Sequence, residues 1–203
     1  MTEKGKEYKQ LVLNALLAGF MIGLGCVAYC YTSTLSTVLA SFLFSLGLLS
    51  VITQEHHLYT GKIGYAGKND FVKLVVIYVV NVVSIVGFCL LFSFTRIAPD
   101  ITAKAIDIAT VKTGDSLISL FILGIGCGMM MYLAVDNYKK AVNPIFVILP
   151  IMFFILCGFE HCIADAGYFA LAHSEINIDL LWTMLAVTGG NSVGSIILHR
   201  LKS

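Results

Sequence analysis

Two short runs rich in ionisable residues interrupt otherwise apolar sequence: Thr53-Gln54-Glu55-His56-His57-Leu58-Tyr59-Thr60-Gly61-Lys62 and Gly158-Phe159-Glu160-His161-Cys162-Ile163-Ala164-Asp165-Ala166-Gly167. An ionisable side chain in the middle of a membrane span costs about 3 kcal/mol or more, so each marks a functional site by default. Glu160 and His161 have apolar sequence on both sides, whereas Glu55 and His56 also fit a plain membrane interface. Imidazole exchanges protons near neutral pH. Together His56, His57, His161, Glu160 and Cys162 offer ligand types that zinc accepts. Their adjacency argues against a metal centre: neighbouring side chains on a helix point about 100° apart, unlike the i, i+4 spacing of helix-borne histidine ligands. The expectation is no metal, no cofactor and no enzymatic reaction, with chemistry limited to handling protons and a small solute. Met129-Met130-Met131 reads as adaptable packing, and the six cysteines, all in apolar blocks, as small hydrophobes.

The elements that must position these runs are membrane spans. The chain has 203 residues, 58% hydrophobic and 12% charged, against roughly 45–50% and 25% in soluble proteins, which excludes a water-soluble monomer. Its formal net charge of +1, without a dense basic run, leaves no footprint for nucleic acid. Six blocks reach the about 20 residues a bilayer core requires: about 11–31, 36–59, 71–95, 116–135, 144–172 and 180–199. They predict a single all-α membrane domain over 1–203 with six transmembrane helices. Ten basic residues (Lys4, Lys6, Lys9, Lys62, Lys68, Lys73, Lys139, Lys140, Arg200, Lys202) fall on one side and three (Arg96, Lys104, Lys112) on the other, which predicts cytoplasmic termini in a cell inner membrane.

The connection at about 96–115, in which no motif is legible, separates halves of about 11–95 and 116–199. Three spans in each half is the arithmetic of an inverted repeat. Gly19 and Gly23 open the first half as a Gly-x-x-x-Gly pair, Gly124 and Gly128 the second; Gly190 and Gly194 add a third place where helix backbones can approach closely. The two polar runs lie on the middle spans of the halves, where interruptions point to a midplane site built from discontinuous helices.

Several segments carry a resemblance to the formate/nitrite transporter family. Phe44-Ser45-Leu46-Gly47-Leu48 followed by Leu58-Tyr59-Thr60-Gly61 looks like that family's second span and its break, and Leu133-Ala134-Val135 like the end of its fourth. Leu149-Pro150 leading to Gly158-Phe159-Glu160-His161-Cys162-Ile163-Ala164 is close to its fifth-span signature, and Gly190-Asn191-x-x-Gly194 is similar to its sixth. The resemblance implies an aquaporin-like protomer of six helices with the second and fifth interrupted, assembled as a pentamer with a pore in each protomer. It implies passage of small monovalent anions such as formate, nitrite or hydrosulfide between two apolar constrictions flanking a central histidine. That histidine is His161 and the threonine facing it Thr60; the inner constriction involves Phe44 and Leu48, the outer one Leu58, Tyr59 and Phe154. Glu160 is implied as a helix-anchoring carboxylate and Asn191 as an amide tying the sixth span to the pore wall. Three departures stand out. The family's fourth-span Lys and Asn read Leu123 and Gly128, Asp165 stands where Asn is common, and Gln54-Glu55-His56-His57 bring an extra imidazole near the pore. His57 either faces the pore or caps the interrupted helix.

An anion cannot cross an apolar constriction bare, because desolvating a charge is costly. An imidazole held there rests neutral, and an arriving anion supplies the opposite charge that favours a proton. A proton passing through His161 or through water lets the solute leave as a neutral weak acid. This route suits conjugate bases of weak acids and disfavours chloride. A channel for a small neutral solute, urea, ammonia or water, is the alternative, and it gains from the missing fourth-span Lys and Asn.

Overall fold

The structure, a computed structural model, describes residues 3–67 and 69–202. Lys68, counted above on the basic side, and Ser203 at the C-terminus lie outside the described residues. Every regular element among the described residues is helical: α1 (Glu3–Thr32), α2 (Thr37–Thr53), α3 (Tyr59–Lys62), α4 (Phe71–Leu91), α5 (Ala98–Gly114), α6 (Leu117–Ala141), α7 (Ile145–Leu156), α8 (Cys162–Leu171) and α9 (Ile178–Lys202). Four of them, α1, α4, α6 and α9, are each long and apolar enough to cross a membrane; α2, α7 and α8 are shorter and apolar. Serine starts two of the helices, Ser36 accepting from the Leu39 N–H and Ser116 from the Ser119 N–H. The second block is thus broken between Thr53 and Tyr59, and the fifth between Leu156 and Cys162.

The distribution of side chains is reversed relative to a soluble protein. Val83 is 66% exposed on α4 and Ile118 75% exposed on α6, while Ser41, Ser45, Thr60, Asn81, Lys112, Glu160, His161, Asp165, Asn191 and Ser195 are buried. An apolar exterior around polar groups that satisfy one another is what a hydrocarbon solvent demands.

The connection at 96–115 is not a loop. It forms α5, with Pro99 and Asp100 in its first turn, and buries Ile101, Ala105, Ala109 and Lys112. Those positions recur at helical spacing and turn one face of α5 inward.

The glycine motifs form two close interfaces. Gly124 and Gly128 of α6 face Gly190 and Gly194 of α9, and a Cβ on Gly128 would run into the Asn191 carbonyl. On α1, a Cβ on Gly19 would collide with Ser84 and come 2.8 Å from the Asn81 carbonyl. Gly19 thus meets the Asn81 carbonyl on α4 as Gly128 meets the Asn191 carbonyl on α9.

Candidate functional site

Each break begins with the same backbone device. α2 ends with Glu55 in the left-handed region (φ 57°), the Glu55 N–H bonding the Ile52 carbonyl at 3.2 Å and the His56 N–H the Val51 carbonyl at 2.9 Å. α7 ends with Gly158 at φ 69°, the Gly158 N–H bonding Ile155 at 3.1 Å and the Phe159 N–H Phe154 at 2.9 Å. Both are Schellman caps, which satisfy the last carbonyls of a helix and reverse the chain. The extended residues that follow lean on a neighbouring helix, His57 N–H on the Asn14 carbonyl (3.1 Å) and Glu160 N–H on the Leu123 carbonyl (3.4 Å).

An asparagine then closes each break. Asn191 accepts from the Cys162 N–H at 3.0 Å and donates to the carbonyls of Glu160 (2.7 Å) and Gly124 (2.8 Å). Asn81, on α4, accepts from the Tyr59 N–H at 2.9 Å and donates to the carbonyls of His57 (3.0 Å) and Ala15 (2.7 Å). Each amide satisfies the first N–H of the resumed helix, the carbonyl two residues earlier and a carbonyl of the half's opening helix. Asn81 was not among the expected site residues, although a lone amide inside the apolar stretch Phe71–Leu91 carries the same signal as the polar residues that were.

The breaks bring Thr60 and His161 together. The Thr60 Oγ1 lies 2.9 Å from His161 Nε2, with both residues buried. His161 Nδ1 accepts the Ala164 N–H at 3.1 Å and so caps α8. A nitrogen that accepts carries no hydrogen, so in this arrangement the ring proton sits on Nε2, which donates to Thr60.

Two cavities flank this pair. One, of about 620 Å³, is lined by Leu48, His57, Leu58, Lys62 and Lys139 among others. The other, of about 120 Å³, is lined by Phe44, Phe154 and His161 together with Lys112, Glu160 and Asp165. Leu48 and Leu58 line the first cavity, Phe44 and Phe154 the second. Phe44 and Leu48 stand one turn apart on α2, which carries them to different cavities. The Phe44 and Phe154 rings meet edge to face at 6.3 Å, and Phe154 stacks on His161 at 5.9 Å. Tyr59 packs edge on against Tyr78 and turns its hydroxyl to Ser192 at 2.9 Å. The His57 ring lines the larger cavity, with Nδ1 buried and unbonded among the described residues, while backbone groups supply the α2 cap.

A lysine does serve the site, but not from the fourth span. Lys112, at the end of α5, bonds the Glu160 carboxylate and lies 2.9 Å from Asp165 Oδ1. α5 thus supplies a cation where α6 carries Leu123. A second cluster joins the turn after α3 to the ends of α6 and α9, with Asp136 accepting from Lys140 (3.0 Å) and Lys202 (2.5 Å), and the Tyr65 ring tilted against Tyr132 and His199.

Apolar outside and polar within, with two broken helices meeting at a histidine–threonine pair between cavities, the molecule is a multi-pass membrane protein of the channel class. It belongs to the formate/nitrite transporter family, whose model matches residues 1–201. No curated protein matches it in sequence. Among solved structures it is similar to one described as "Pentameric formate channel with formate bound", with TM-score 0.85 and 22% identity over 99% of this chain and 97% of that one. It is also similar to an "FNT family ion channel", with TM-score 0.86 and 21% identity over 98% and 90% of the two chains.

Proposed function

We propose that the protein is a homopentameric channel for small monovalent anions of weak acids, formate first and nitrite or hydrosulfide by the same chemistry. The observation that carries this reading is the buried Thr60–His161 pair between two cavities, with Phe44 and Phe154 on one side and Leu48 and Leu58 on the other. Apolar walls select against a bare charge, and the buried pair supplies a polar contact among them. A doubly protonated His161 would set Nδ1–H against the Ala164 N–H, so the resting imidazole offers the anion a hydrogen bond from Nε2 and not a standing charge. A proton accompanies the anion across, and the solute leaves neutral. Lys112 places a cation beside the smaller cavity, which favours an anion over a neutral solute.

The matching caps and asparagine clamps support an aquaporin-like, six-span inverted repeat with halves of about 11–95 and 116–199. Two chain segments that satisfy their broken backbones in the same way at corresponding places are what such a repeat requires. The Lys/Arg bias supports cytoplasmic termini in an inner membrane. Uptake of formate, nitrite, hydrosulfide, acetate and urea into proteoliposomes at two pH values tests the assignment. Formate flux that grows with acidity supports it, and swelling driven by urea without anion uptake would overturn it.

A further inference from the structure

The cluster around Lys112 does not balance. Lys112 is the ammonium for two carboxyl groups, Glu160 and Asp165, which are 6% and 1% exposed. With all three ionised, the sum is one net negative charge in a nearly dry site. The two carboxyl groups meet at the same ammonium, and Asp165 Oδ2 meets no donor among the described residues. An acceptor oxygen without a donor beside a second carboxylate is the place a proton would occupy.

The surrounding elements do not supply the missing positive charge. α1 presents Cys26 and Tyr29, α4 presents Tyr78, α6 presents Cys127, and α8 presents Cys162 and Tyr168. α9 adds the neutral Thr188. Thiols and phenols are neutral when protonated, and His161 is held neutral by its cap on Ala164. An uncompensated buried charge is strongly unfavourable, and one proton removes it.

We propose that Lys112, Glu160 and Asp165 form a proton-binding site, in which one proton shared by the two carboxyl groups keeps the wall beside His161 neutral and its loss makes that wall negative and repels entering anions. Only an O–H bond is made or broken, the proton exchanging with solvent through the 120 Å³ cavity that these residues line. The consequence for transport rests on the anion-channel reading; the bound proton does not.

Infrared difference spectra of the purified protein in lipid test the site directly. The wild type should show the C=O stretch of a protonated carboxyl at neutral pH, absent from both Asp165→Asn and Glu160→Gln, each of which leaves one carboxylate for one ammonium. No such band in the wild type, or its persistence in both variants, overturns the site. Formate uptake tests the consequence: the ratio of Asp165→Asn to wild-type flux should rise about tenfold from acid to alkaline pH, the effect of one charge about 10 Å away at an effective dielectric of about 20. A constant ratio overturns the repulsion. If no variant and no wild type carries formate, the channel reading fails while the infrared band still decides the proton site.

Discussion

At the scale of single residues, His161 does two jobs with two nitrogens, capping α8 through Nδ1 and addressing the pore through Nε2. His161→Asn should separate them. Asparagine is a good N-cap, so stability should stay within about 1 kcal/mol of the wild type, whereas alanine should cost about 1 kcal/mol or more. Without an exchangeable ring proton, the pH dependence of formate uptake should flatten. Wild-type uptake with an unchanged pH profile in the asparagine variant would make His161 structural only. The two Schellman caps offer a matched pair of changes. Glu55 holds a left-handed conformation that favours glycine, so Glu55→Gly should raise thermal stability by up to about 1 kcal/mol, and Gly158→Ala should lower it by about 1 kcal/mol. Unfolding in mild detergent measures both; equal shifts of the same sign would contradict the assignment of the caps.

At the scale of elements, the breaks are held by helices that are not themselves broken. Asn81→Ala should strand the Tyr59 N–H and the carbonyls of His57 and Ala15 at once, costing about 3 kcal/mol or more and releasing Thr60 from His161. Asn191→Ala should do the same to Cys162, Glu160 and Gly124. Thermal unfolding and flux should fall together in either variant; a stable protein lacking flux would mean the amides act on solute and not on the backbone. Lys112→Ala should cost about 3–5 kcal/mol, because it leaves two buried carboxyl groups without their cation. The two breaks were legible because Glu160 and His161 have no other reason to sit in an apolar block. α5 was not, because its buried face is short, made largely of alanine, and ends in a lysine that composition assigns to water. Which backbone each glycine meets was also hidden, a pairing across helices that periodicity within one helix does not encode.

At the scale of the whole molecule, apolar side chains on the outer faces of α4 and α6 leave room for both lipid and neighbouring copies. A native mass of five protomers in mild detergent is expected, and a monomer or trimer would contradict the assembly. The internal plan gathers buried polar groups at the two breaks and on the helices that hold them.

That plan has a consequence for how the chain is made. The Asn81 side-chain amide bonds Ala15, His57 and Tyr59, and that of Asn191 bonds Gly124, Glu160 and Cys162. The first break can therefore be sealed as soon as α4 enters the membrane, before α5 is synthesised, so its backbone groups need not wait unpaired in lipid for the second half. The contact between Thr60 and His161 can form only later, once α8 has followed.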